Sequence, residues 1–150
     1  MKEIEILKKI VGDGKIVETH ASAVLITSDY VYKIKKPLYF GFLDYRQLKQ
    51  RRGFCILEKE LNSRYCNNVY LSVLKSVKRG ENYELLPLES SISAVEYVLQ
   101  MRSIPDEQFL SNIINTSSFT DIEMDWIGTQ IGEKLALADC SPEIVENMNP

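Results

Sequence analysis

The sequence predicts an α+β fold, and three observations carry that expectation. The first hundred or so residues hold several short β-rich runs around one long amphipathic helix. The remainder shows helical periodicity only. The chain of 150 residues is 45% apolar and 26% charged, close to an ordinary globular domain that buries its own core. These values exclude a disordered tail, a collagen-like fibre and a low-complexity linker. No apolar run reaches the ~18 residues of a membrane-crossing helix. The N-terminal Met1-Lys2-Glu3-Ile4-Glu5 lacks the apolar stretch of a secretory signal. A soluble cytoplasmic protein without membrane contact is therefore expected.

Ile4, Leu7, Ile10 and Val11 recur at helical spacing, so residues 2–11 should form a short amphipathic helix, ended by Gly12-Asp13-Gly14. Lys15 to Ile26 is β-rich but interrupted near His20-Ala21, and Thr27-Ser28-Asp29 turns the chain into a strand from Tyr30 to Lys35. Pro37 stops that strand, because proline cannot donate to a ladder. Residues 37–44 make an aromatic loop. Residues 45–65 should be helical, with Phe54, Leu57, Leu61 and Tyr65 on the inward face. Val69 to Val77 and Tyr83 to Leu88 pair across a turn, and Ala94 to Met101 is a further strand. Ile104-Pro105 marks a boundary between lobes of residues 1–103 and 104–150. Residues 106–115 suit a short helix. Thr120, with Glu123 three residues on, opens a longer one whose apolar face is Met124, Ile127, Ile131, Leu135 and Ala138. Trp126 on that helix reads as core.

The net charge of −3 conceals an asymmetry: residues 1–60 carry 12 basic against 8 acidic residues, and the rest 6 against 13. A local basic focus at Lys33, Lys35 and Lys36 on an acidic chain suits a small anionic ligand better than a long nucleic acid. Arg46, Lys49, Arg51 and Arg52 read most simply as a solvated helix face. Cys55, Cys66 and Cys140 are odd in number with no close pair, which suits free thiols rather than a zinc site.

Lys33 stands out on chemical grounds. Strand alternation puts Lys33 and Lys35 on one face, with Ile34 and Lys36 on the other. A lysine on a sheet face that receives a helix needs a partner if it is buried. Glu58 falls on the expected inward stripe with Phe54, Leu61 and Tyr65, whereas Glu60 is displaced by about 200°. A strand lysine held by a helix glutamate is how kinases grip nucleotide phosphates. An exposed lysine and an exposed glutamate would give the same pattern.

Three runs together resemble the aminoglycoside phosphotransferase-like kinase family, and a bacterial branch of it in particular. They are Glu18-Thr19-His20-x-Ser22, Asp29-Tyr30-Val31-Tyr32-Lys33-Ile34-Lys35-Lys36-Pro37 and Phe40-Gly41-Phe42-Leu43-Asp44. Arg51-Arg52, Glu58-x-Glu60-Leu61-Asn62, Val69-Tyr70-Leu71 and Glu96 to Arg102 fit as well. The resemblance implies a protein-kinase-like small lobe over residues 15–101, followed by the first helices of the large lobe. It implies that Lys33 grips ATP phosphates, that Glu58 holds Lys33 with Glu60 as fallback, and that the backbone after Met101 forms the adenine-recognising hinge. Thr19-His20-Ala21-Ser22 would cover the phosphates, with backbone amides and the Ser22 hydroxyl in place of the usual glycines. His20 either donates to a phosphate or is a turn residue bonded to nearby backbone. The loop Phe40 to Asp44 either contacts substrate or, more simply, plugs the sheet edge.

The family's reaction also implies magnesium, an aspartate base in a His-Gly-Asp-type loop, and Asn and Asp metal ligands. The single histidine, His20, lies far too early for that loop, and Asp121, Asp125 and Asp139 lie on or beside the last helix. This chain alone is therefore expected to be inactive, as the ATP-binding part of a longer phosphotransferase with an unknown small-molecule acceptor. The alternatives are a non-catalytic kinase-like interaction module, self-associating through its exposed lobe surface, and a nucleic-acid binder, which is the weakest.

Overall fold

The computed structural model describes residues 2–116 and 119–138. Contacts divide the chain into two compact units, Met1–Ile104 and Pro105–Pro150. Asp139 and Cys140 lie outside the described residues.

The first unit is an α+β layer structure. Helix α1 (Lys2–Val11) ends where Gly12, at φ +89°, donates its N–H to the Lys8 carbonyl at 2.9 Å. The interrupted β-rich run resolves into a hairpin of β1 (Lys15–Glu18) and β2 (Ser22–Ile26). Strand β3 (Tyr30–Lys35) follows the turn at Thr27, whose N–H bonds the Tyr30 carbonyl at 2.9 Å. Helix α2 (Leu48–Ser63) is next, then β4 (Tyr70–Arg79), β5 (Asn82–Pro87) and β6 (Glu96–Arg102). Among the described residues, six strands form one antiparallel sheet in the order β1-β2-β3-β6-β4-β5.

Each face of that sheet carries a helix, and period-two alternation decides which residues meet which. Ala23, Leu25, Ile34 and Val98 turn toward α1, where they bury Ile6 and Leu7. Leu99 and Val73 turn toward α2, where they enclose Cys55. Neighbours in sequence therefore serve opposite cores, as Val98 and Leu99 do. The same alternation sends Ile34 to the α1 side and Lys33 and Lys35 to the α2 side.

Four expectations need correction here. The inward face of α2 is Arg51, Cys55 and Glu58; of the expected stripe Phe54 is half-buried against Tyr45, but Leu57, Leu61 and Tyr65 face out. Leu57 is 45% exposed, and Leu61 and Tyr65 are likewise exposed. The apolar stripe misled because the helix turns its polar face to the sheet, where charged partners wait. Arg51 is accordingly buried rather than solvated. Its Nε and Nη2 donate to the Glu96 carboxylate at 2.8–3.1 Å, and its Nη1 donates to the Tyr45 and Arg46 carbonyls at 2.8 and 2.9 Å. The loop Phe40 to Asp44 is no plug of the sheet edge: it closes as a tight turn with Gly41 at φ +82°, and Phe42 at its tip is 85% exposed.

In the second unit, α3 (Leu110–Thr116) precedes α4 (Asp121–Ala136). The expected capping box is present: Thr120 N–H donates to Glu123 Oε2 at 2.8 Å, and Glu123 N–H to Thr120 Oγ1 at 3.3 Å. The fourth correction is Trp126, which is 64% exposed and not core, because α4 buries none of its residues.

Candidate functional site

Strand β3 leaves the centre of the sheet with Lys33 and Lys35 two residues apart and on one face. Helix α2 crosses that face with Glu58 on its inner side. Lys33 Nζ donates to Glu58 Oε1 at 2.7 Å, and Lys35 Nζ donates to Glu58 Oε2 at 2.6 Å. One carboxylate thus receives two ammonium groups, one on each oxygen, and the cluster carries a net positive charge. Both bonds are charge-assisted and short.

The two lysines sit in different surroundings. The Lys33 side chain is 26% exposed and that of Lys35 is 7% exposed. Lys35 Nζ also lies 5.0 Å from the centroid of the Tyr45 ring, a cation–π contact. That ring is held edge-on by Phe54 at 4.8 Å and by Phe40 at 6.3 Å. Burial opposes the charge on Lys35, but the bond to Glu58 and the attraction of its negative charge together outweigh burial and raise the pKa. Burial likewise opposes ionisation of Glu58, yet the bonds from Lys33 and Lys35 prevail and hold its carboxyl below the ordinary value. Burial pushes the thiol of neighbouring Cys55 up to about 12, so it is an inert packing group.

Glu60, the fallback partner, is exposed and contacts neither lysine. It lines a groove between α2 and β4 with Ile56, Lys59 and Leu88. Ser22 is 2% exposed and stands opposite Lys35 in the β2–β3 register, so its side chain has little access to solvent. The turn itself is built by Thr19, whose N–H and hydroxyl both donate to the Ser22 carbonyl, at 2.9 and 3.3 Å. Lys36, just past the end of β3, braces it, donating to Glu18 Oε2 at 3.1 Å and to the Thr19 carbonyl at 2.8 Å. His20 is exposed at the tip of this braced turn. Met101 lies within β6, paired to Val31 and Tyr70. The next two backbone donors are spent: Arg102 N–H bonds the Val69 carbonyl and Ser103 N–H the Asp29 carbonyl, at 2.8 and 2.9 Å. Past Met101, donation from a backbone N–H to a base can therefore begin only after Ser103.

The role of Lys35 and the Arg51–Glu96 pair were missed in the sequence. The alternation that placed Lys35 beside Lys33 was the available signal for the first. For the second, Arg51 stands four residues before Cys55 and seven before Glu58, spacing that puts all three on one helical face.

No family model and no solved structure matches the chain. It is similar to uncharacterized protein Mb2027c of Mycobacterium bovis, and to uncharacterized proteins MT2060 and Rv2004c of Mycobacterium tuberculosis. Each is 33% identical over 97 residues, which is 65% of this chain and 17% of the relative. The chain thus spans about a sixth of the length of the curated relatives it matches.

Proposed function

We propose that this chain is the ATP-gripping part of a kinase-like small-molecule phosphotransferase, with a protein-kinase-like small lobe. The observation that carries the proposal is the Lys33–Glu58 bond, joining the third strand to the helix that follows it. Protein kinases set a lysine of their third strand against a glutamate of the next helix to hold nucleotide phosphates. The residues suit a polyphosphate. Two ammonium groups share one carboxylate, leaving positive charge for an anion, and Lys33 has the solvent access to reach it. The braced turn with His20 at its tip is the second element; Thr19 and Ser22 spend their amides within the turn, which leaves the backbone amides of His20 and Ala21 and the imidazole as the donors it offers.

The residues do not suit magnesium in the same way. Among the described residues there is no group of three His, Cys, Asp or Glu side chains that could hold a metal. A non-catalytic interaction module has one observation in its favour, the exposed Leu57, Leu61 and Tyr65 on the outer face of α2.

Calorimetric titration with ATP, on the protein as its cell makes it, separates these readings. Saturable binding that Lys33→Ala abolishes is the expected result. Absence of ATP binding by the wild type would refute the assignment. Binding to RNA with a steep salt dependence and indifference to ATP would replace it with a nucleic-acid function.

A further inference from the structure

We propose that the two lysines have separate roles, Lys35 as the permanent counter-ion that positions Glu58 and Lys33 as the movable grip. The proposal rests on the phosphate-binding reading of Lys33 and adds a positioning residue to it.

The Glu58 carboxylate is shared between two lysines. If Lys33 were its only partner, drawing Lys33 toward an anionic ligand would strand Glu58, 16% exposed, without a counter-charge. A largely buried carboxylate left unpaired is costly, so ligand binding and the ion pair would compete. Here the second oxygen of Glu58 is already bonded to Lys35. Lys35 has nowhere else to go: its side chain is buried, its ammonium faces the Tyr45 ring, and Phe40 and Phe54 wall that ring in. Lys33, by contrast, lies at the open edge of the cluster. When Lys33 swings, Glu58 stays neutralised and α2 stays in register with β3. The Tyr45 ring, with Phe40 and Phe54 packed against it, therefore has a purpose: it shields the fixed lysine from water.

Competitive acetylation of lysines on the native protein, with peptide mapping, tests this without needing a nucleotide. Lys33 should label at least about tenfold faster than Lys35, since a buried, ion-paired amine is rarely both neutral and accessible. Equal rates would overturn the proposal. In Lys35→Met, Glu58 has only Lys33, so Lys33 should label more slowly, by about threefold or more, and Lys35→Arg should restore the wild-type rate. A merely structural role for Lys35 predicts the opposite, because a loosened site speeds labelling. That result, or an unchanged rate, would refute the positioning role. If Lys35→Met fails to fold, the Lys33 to Lys35 ratio in the wild type decides alone. Adding ATP should protect Lys33 and leave Lys35 unchanged. Failure of ATP to protect Lys33 would remove the phosphate reading while leaving the division between the lysines standing.

Discussion

Replacing Arg51 with methionine should lower the melting temperature of the first unit sharply. The guanidinium is spent on five bonds: three contacts to Glu96 and one each to the carbonyls of Tyr45 and Arg46. Both partners are buried, Arg51 at 7% and Glu96 at 4% exposed. Removing the cation leaves a carboxylate in the interior with only the N–H of Tyr97 to satisfy it. Breaking a buried pair from one side costs about 3–5 kcal/mol. For a unit of this size each kcal/mol moves the midpoint by roughly 4–8 °C, so a drop of about 12 °C or more is expected. Thermal unfolding followed by circular dichroism reads it directly. The double variant Arg51→Met with Glu96→Leu should recover much of the loss, because an apolar pair of similar volume needs no counter-charge. A drop of only ~4 °C in the single variant would mean that the pair behaves like an exposed one, worth ~1 kcal/mol or less. The Arg51–Glu96 pair would then not be what anchors α2 to β6.

Three further outcomes follow from the same geometry. The carboxyl of Glu58 is held below its ordinary 4.5 in the folded protein. Its contribution is thus present above about pH 4.5 and lost as pH falls through the lower folded value, so Glu58→Gln should cost most near neutral pH and least in acid, measured by urea unfolding across pH. Cys55, with its thiol pushed up to about 12 and 1% exposed, should resist alkylation at pH 8 until the protein is denatured, whereas Cys66 should react in the native state; mass spectrometry of the two peptides checks this. Gly14→Ala should destabilise by about 1–3 kcal/mol in the same urea assay, because the added Cβ would lie 2.7 Å from the Ile26 carbonyl oxygen and 2.7 Å from a Leu25 methyl; an unchanged midpoint would show that the β2 backbone yields there.

The α+β architecture was legible because its signals are local. Helix α1, the interrupted β1–β2 run, the proline after β3 and the Thr120 cap each follow from residue spacing within a few positions. The Lys33–Glu58 contact was only a candidate on pattern: strand alternation turned Lys33 to the helix side, but the stripe that put Glu58 inward also held the exposed Leu61 and Tyr65, and it was the family resemblance that singled the pair out. The wrong face of α2 shows where such reasoning stops. Hydrophobic periodicity assumes that a helix buries its apolar stripe, yet α2 buries Arg51 and Glu58 because Glu96, Lys33 and Lys35 come to meet them from strands as many as 45 residues away in sequence. Cross-chain charge pairing leaves no periodic trace, so Arg51 looked like one more surface cation. Trp126 misled for a related reason, since an aromatic on an amphipathic helix is core only where something covers it.

The central claim is that Lys33 is the ligand of a nucleotide's phosphates, held ready by Glu58. Dissociation constants for ATP, measured side by side for the wild type, Lys33→Ala and Lys35→Ala, test it most directly. A loss of binding in Lys33→Ala that clearly exceeds the loss in Lys35→Ala is the predicted result. Equal losses in the two variants, or full ATP affinity without Lys33, would contradict it.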